Sequence, residues 1–230
     1  EGFQGIFVGS GAGLPNFMDI PGENALNIMS SNEYLTRVNL MDAANPSTDT
    51  PINLGKKVLV VGGGNTAMDS CRTAKRLGAD VTLVYRRSEA EMPARIEEVK
   101  HAKEEGIKFL TLHNPKEYLT DENGAVKAAV LDVMQLGEPD QSGRRRPETT
   151  GETITIECDQ VIVAVGVSPN PLVPKSIEGL TLGRKNTIAV NDQMQSSRKE
   201  IYAGGDIVRG GATVILAMGD GRRAAMNMSK

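Results

Sequence analysis

The residues in this chain best suited to chemistry are clustered glycines and the arginines that follow them. Gly62-Gly63-Gly64-Asn65-Thr66-Ala67 places glycine at its first and third positions and alanine at its sixth. Gly62 permits a tight turn, Gly64 lets the backbone approach a pyrophosphate, and Ala67 keeps a following helix close to its strand. The pattern alone is weak, and its setting gives it weight. An apolar, β-branched run, Lys57 to Val61, precedes it, a helical segment from Asn65 to Leu77 follows, and a second apolar run, Val81 to Tyr85, comes next. In that order the helix N-terminus offers free N–H groups and a positive dipole end to phosphates. The plain alternative is a structural glycine turn that binds nothing.

An NAD site sets a carboxylate at the end of the second strand to hold the ribose 2′-hydroxyl. Here that strand ends Val84-Tyr85-Arg86-Arg87-Ser88, with two guanidiniums and no carboxylate. Arginine pairs bidentately with phosphate oxygens, so a 2′-phosphate fits and NADPH is favoured. Arg95 adds a third positive charge at the start of the next helix. A solvated charge run is the alternative for Arg86 and Arg87.

Two more glycine clusters follow apolar runs: Gly9-Ser10-Gly11-Ala12-Gly13 after Ile6 to Val8, and Gly166 after Val161 to Val165. Both serve as simple turns or as paired crossover points between two domains. In Ala203-Gly204-Gly205-Asp206, the carboxylate reads equally as a turn or cap residue and as an acceptor for ligand hydroxyls. Gly210-Gly211-Ala212-Thr213 then opens a last helix, whose N-terminus near Thr213 and Val214 suits an anion. His101 and His113 have no metal or triad partner nearby. Cys71 falls on an inward helix face and Cys158 near a strand end, both as inert thiols. Arg144-Arg145-Arg146 is expected to be solvated in a polar loop, with contact to a partner or a ligand phosphate as the alternative.

The elements that must position these residues form a strand–helix–strand–helix–strand series. Pro93 to Glu105 is predicted as the second helix and Lys108 to Leu112 as the third strand, giving a parallel, doubly wound sheet. Before it, Ser30 to Met41 is expected to carry a helix capped by Ser31, and Asn45 to Asn53 a linker. After it, segments 125–135 and 152–158 are expected as strands of an antiparallel meander, with a polar loop from Gly137 to Gly151. Short strands are predicted at Ile188 to Val190 and Ile201 to Ala203, and a final helix at Thr213 to Met228.

Composition narrows the function. The chain has 230 residues, a net charge of −3, 3% aromatic residues and no Trp, which argues against a nucleic-acid partner. The longest apolar run, Val161 to Val167, is too short to span a bilayer, so no membrane partner is expected. Two distant cysteines make no disulfide framework, no CxxC pair and no iron–sulfur ligand set, and a reducing cytoplasm is expected. The chain opens at Glu1, in the approach to a strand, and reads as a piece of something longer.

Taken with Pro21-Gly22-Glu23, Gly137-Glu138-Pro139, Gly143-Arg144-Arg145-Arg146-Pro147 and Ala217-Met218-Gly219-Asp220-Gly221, these motifs resemble the small (beta) subunit of NADPH-dependent glutamate synthase. Related electron-transfer reductases share the layout: the ferredoxin:NADP oxidoreductase large subunit and the N-terminal half of dihydropyrimidine dehydrogenase. The resemblance covers nearly the whole chain. It implies a two-dinucleotide flavoprotein: an NADPH domain at residues 51–167 inserted in a partial FAD domain formed by 1–50 and 168–230. It implies that Gly62, Gly64, Asn65, Thr66 and Ala67 hold the NADPH pyrophosphate and that Arg86, Arg87 and Arg95 hold the 2′-phosphate. Ser88, Gly9, Gly11, Gly166 and Gly205 are counted with the cofactor-binding set. Asp206 would contact the FAD ribityl chain, and the amides near Thr213 and Val214 would face the flavin ring. Hydride would pass from NADPH to FAD and electrons onward to a large subunit such as the glutamate synthase alpha subunit. No catalytic acid or base is expected, because the flavin carries the chemistry. The family's iron–sulfur segment and first FAD motif are not in this sequence, so an intact NADPH site and weak or absent FAD binding are expected. The alternative from another class is a dinucleotide-binding module without catalysis.

Overall fold

The computed structural model describes every residue except Glu1, Ser142, Arg144 and Lys230. Along the chain, β1 (Ile6–Val8), β2 (Leu14–Pro15), β3 (Ile28–Ser30) and α1 (Ser31–Leu35) lead to β4 (Lys57–Val61), α2 (Asn65–Arg76) and β5 (Asp80–Tyr85). Next come α3 (Ile96–Glu104), β6 (Lys108–Thr111), β7 (His113–Thr120), β8 (Val126–Pro139), β9 (Arg145–Glu157) and β10 (Gln160–Val163). The chain continues through β11 (Val167–Ser168), α4 (Leu172–Ser176), β12 (Ile201–Ala203), α5 (Asp206–Arg209) and α6 (Val214–Met228). Two units divide it: one runs from Phe17 to Val165, the other joins the residues up to Asn16 with those from Gly166 on.

The Phe17–Val165 unit is built on a five-stranded sheet in the order β3-β10-β4-β5-β6. All four pairings are parallel. Strands buried on both faces read as continuous apolar runs, which is what Val58 to Val61 and Val161 to Val163 are. One face packs Val58, Val60, Val81, Leu83 and Ile162 against the helices, through Tyr34, Met68 and the small side chains Ala67, Cys71, Ala74 and Ala102. The other face packs Leu59, Val61, Val84, Val161 and Val163 against Tyr118, Ala129 and Leu131 of a second, antiparallel sheet, β7-β8-β9. The sheet is therefore an α/β core with helices on one face and the expected meander on the other. Each of these fully buried aliphatic side chains stabilises the unit by roughly 1.5–3 kcal/mol.

The structure corrects several local expectations. Residues 17–50, expected in the partial FAD domain, fall instead with the parallel sheet: β3 pairs with β10 along Ile28–Ser30, and Tyr34 of α1 is buried in the helix-side core. The helix at 31–40 is half the expected regular length. Ser30, not Ser31, caps it, with Oγ accepting from Glu33 N at 3.1 Å. From Thr36 to Leu40 the turns widen into a π-helix. The expected loop at 137–151 is largely strand. β8 and β9 form a long hairpin whose outer strand is exposed along most of its length, with register shifts along the ladder and Pro147 on the edge. Arg145 and Arg146 lie on that strand, whereas Arg144 lies outside the described residues. Residues 188–190 make only isolated bridges.

Pro21-Gly22-Glu23 is structural. The Glu23 carboxylate accepts backbone N–H groups of Met18 at 2.8 Å and Asp19 at 2.7 Å. Gly22, at φ 79°, lies so close to β7 that a Cβ would meet Tyr118 O at 2.1 Å.

In the other unit, β1 and β12 form a two-stranded parallel sheet, and β2 pairs antiparallel with β11. Val8, Ile188, Ile201, Ala203 and Ile207 make a small core.

Candidate functional site

β4, buried from Val58 to Val61, delivers the chain into the glycine turn. Gly62 adopts φ 144°, donates its N–H to Val84 O at 3.0 Å, and lies where a Cβ would come within 2.3 Å of Ala164 O. The turn therefore seats against the end of β10 only because Gly62 lacks a side chain. Gly64 caps α2 in extended conformation, and nothing lies within 4 Å of the position its Cβ would take. The space in front of Gly64 is open to a ligand group approaching the helix N-terminus. Ala67 is fully buried against the sheet, while Asn65 and Thr66 are exposed on the first turn.

Gly63 has a role that the glycine pattern does not reveal. A Cβ there would meet the Tyr85 ring at 2.6 Å, so the aromatic ring lies flush against the turn. Tyr85 Oη donates to Glu91 O at 2.9 Å. The Glu91 carboxylate accepts from the Ser88 N–H at 3.2 Å and the Ser88 hydroxyl at 3.1 Å. Ser88 is thus engaged within its own turn, and its contribution is to fold the strap that follows β5. Ala94 N donates to Gly63 O at 3.1 Å and Arg95 N to Asn65 Oδ1 at 2.9 Å, which fastens the strap to the glycine turn.

This strap presents the three guanidiniums. Arg86 and Arg95 are exposed, and neither forms an ion pair among the described residues. Arg87 is half-buried; its carbonyl accepts from Leu112 N at 3.0 Å, and its Nε is buried with no hydrogen-bond partner. A buried N–H of a charged group left unpaired is costly and calls for an acceptor. Three uncompensated cations, one with an orphaned donor, beside an open helix N-terminus fit a ligand carrying several phosphates. The other arginines on these helices behave differently. Arg72 pairs with Glu98 at 2.7 Å and Glu105 at 2.9 Å, and Arg76 with Glu105 at 2.7 Å.

The second cluster lies in the other unit. Gly166, at φ 98°, accepts at its carbonyl from Asn16 N at 3.0 Å, and Asn16 Oδ1 accepts from Ser168 Oγ at 2.7 Å. Gly9 makes room for the Phe7 ring, which a Cβ would meet at 2.9 Å; Gly11, at φ 71°, is open. Gly204 N donates to Val8 O at 3.3 Å, and Gly205 takes φ 76°. Asp206 begins α5, and its carboxylate accepts from Ala212 N at 3.1 Å. Thr213 caps α6 by accepting from Leu216 N at 3.4 Å; Val214 and Ile215 stand exposed on the first turn.

Asp220, which the sequence marks only as one member of the Ala217–Gly221 motif, is the hub of this cluster. It is fully buried within α6. It accepts from Gly205 N at 3.1 Å, from Arg209 Nε at 2.6 Å and Nη2 at 2.7 Å, and from Arg223 Nη2 at 3.1 Å. The Arg209 guanidinium, foremost, holds its carboxyl below the ordinary aspartate range. An acidic residue between Gly219 and Gly221, one turn before an arginine, was the available signal.

Both cysteines are buried free thiols. Burial pushes Cys158 up to about 12 and Cys71 higher still, so neither offers a thiolate for redox chemistry. Among the described residues no cluster of His, Cys, Asp and Glu could hold a metal ion, and no helix is long and apolar enough to cross a membrane.

The chain is 38% identical to the NADP(+)-dependent formate dehydrogenase subunit beta of Moorella thermoacetica, over 99% of its own length and 32% of that protein. It is 35% identical to the glutamate synthase (NADPH) small chain of Halomonas elongata, over 97% of its length and 49% of that protein. It thus spans about a third to a half of these curated relatives. The structure of Mycobacterium tuberculosis FprA in complex with NADPH shares the fold, with a TM-score of 0.80 at 18% identity over 98% of this chain and 63% of that one. The family model for pyridine nucleotide-disulphide oxidoreductases matches residues 2–221, and the chain belongs to that family.

Proposed function

We propose that this chain is the NADPH-binding part of a flavoprotein oxidoreductase, with the nicotinamide dinucleotide held in the Phe17–Val165 unit. The observation that carries the reading is the orphaned, buried Arg87 Nε, on the same strap as Arg86 and Arg95, which form no ion pair among the described residues. In this reading Gly62, Gly64, Asn65, Thr66 and Ala67 form the pyrophosphate turn. Arg86, Arg87 and Arg95 take the 2′-phosphate, with Ser88 shaping their turn. NADPH supplies a hydride equivalent when bound. The chain's own residues bind and orient: the open space at Gly64 admits the phosphates, and the strap fixes the cations.

FAD is the proposed acceptor, with Gly9, Gly11, Gly166, Gly205, Asp206, Thr213 and Val214 around it. The first-turn amides of α6 suit a reduced, anionic flavin. The parent enzyme in this reading is a glutamate synthase small subunit, passing electrons to a large subunit, in the reducing compartment that two unpaired thiols favour. A second reading, a related electron-transfer subunit, is favoured by the higher identity to the formate dehydrogenase beta subunit. Identifying the protein that co-purifies with the parent enzyme separates the two.

The cofactor proposal is tested by titrating NADPH and NADH into the wild-type chain and the Arg86→Ala/Arg87→Ala variant. NADPH affinity is expected to fall about 100-fold, as the charge-assisted hydrogen bonds to the 2′-phosphate disappear, with NADH nearly unchanged. Equal losses for both cofactors would sink it.

A further inference from the structure

The three cations of the strap are anchored in different ways. Arg86 and Arg87 follow β5 directly, and the Arg87 carbonyl is tied to Leu112 N. Arg95 stands seven residues beyond Ser88, immediately before α3, in extended conformation and with no side-chain cap of its own. It is held by two successive backbone N–H groups that donate into the glycine turn: Ala94 to Gly63 O, and Arg95 itself to the Asn65 carboxamide oxygen. The second is a side-chain bond spanning 30 residues of sequence. Asn65 is the first residue of α2, and its carboxamide oxygen is committed to the Arg95 N–H.

We propose that Asn65 is a positioning residue for specificity. It fastens the start of α3 to the phosphate turn, so that the Arg95 guanidinium is held where a 2′-phosphate would sit. Selectivity for NADPH over NADH then depends on a side chain that does not itself touch the 2′-phosphate. The inference rests on the NADPH reading above. Its physical basis is preorganisation: a guanidinium on a long flexible stem contributes little unless the backbone beneath it is fixed. Arg86 and Arg87, anchored by β5 and β6, do not depend on this bond.

Calorimetric titration of NADPH and NADH into the wild-type chain, Asn65→Ala, Arg95→Ala and the double variant tests it. Asn65→Ala is expected to lower the ratio of NADPH to NADH affinity about three- to tenfold, the scale of one hydrogen bond, with any loss of NADH binding smaller than the loss of NADPH binding. In the Arg95→Ala background it is expected to lower the ratio no further, because interacting positions are not additive. An unfolding midpoint in denaturant matching the wild type reports a folded variant. If Asn65→Ala leaves the ratio unchanged, weakens both cofactors equally, or adds its full effect on top of Arg95→Ala, the inference is overturned while the NADPH reading stands. A wild-type chain that binds NADPH no better than NADH overturns both.

Discussion

The molecule holds two strand–glycine turn–helix motifs in two physically different ways. The Gly62 turn is seated by apolar packing: β4 lies between β10 and β5, its four valine and leucine side chains are buried on both faces, and the turn is pressed against Ala164. The Gly204-Gly205 turn follows β12, which among the described residues pairs with β1 and, at Tyr202, through an isolated bridge with Gln195. It is seated by charge, through the buried Asp220 carboxylate that gathers Gly205 N–H, Arg209 and Arg223. A sheet core resists small changes by close packing. A buried carboxylate resists only while its partners are present. The first turn should therefore break by overcrowding and the second by neutralisation.

The largest expected effect is at Gly62. Gly62→Ala drives a Cβ into Ala164 O at 2.3 Å and holds alanine at φ 144°; a loss of about 3–4 kcal/mol is expected from overpacking plus backbone strain, read by denaturant unfolding of the wild-type and variant chains. A loss under about 1 kcal/mol would mean that the turn relaxes and the contrast between the two sites is wrong.

Next comes Asp220. Replacing it with Ala strands Arg209, and roughly 3 kcal/mol is expected, at the low end for breaking a buried pair because Arg209 is 32% exposed. Its carboxyl is depressed by Arg209, so this stability is fully present above the ordinary aspartate value of about 4 and is lost as pH falls through the lower folded value. Hydrogen exchange of α6 between neutral and acid pH reads the effect. Protection should fall with acid in the wild type and be low and flatter in Asp220→Asn. Parallel pH profiles would remove the charge-seated account.

The smallest effect on folding sharpens the comparison. Gly64→Ala meets no atom within 4 Å, so stability should change by only about 0.5 kcal/mol, the difference between glycine and alanine at a helix cap. NADPH affinity should nevertheless fall at least about tenfold, because the methyl group fills the space a phosphate would use. A variant that binds NADPH normally would show that the dinucleotide does not pass over Gly64.

The parts legible in the sequence are those where one physical demand dominates. Val58 to Val61 announces a strand buried on both faces, and Gly62, Gly64 and Ala67 announce a tight strand-to-helix turn. The outer strand of the hairpin is not legible because an exposed edge needs no alternation: Arg145 to Thr153 is polar, with Pro147 and Gly151 inside it, and only pairing with β8 makes it a strand. β3 escapes notice because Ile28–Ser30 is three residues long and defined by its ladder with β10. Asp220 stands in the sequence only as one member of the Ala217–Gly221 motif. Its burial arises from arginines 11 residues before and 3 after that converge on it in space. Gly63 and Tyr85 carry no signal because they touch across two strands' ends and are not neighbours in the chain.

The meeting of Gly63 and the Tyr85 ring also bears on how this site can be redesigned. A Cβ at position 63 would stand 2.6 Å from the ring, so the two positions share a single volume. A library that randomises residue 63 alone should return almost only glycine. One that randomises 63 and 85 together should admit alanine or serine at 63 paired with a smaller residue at 85, at the expense of the bond from Tyr85 to Glu91 O that fixes the strap.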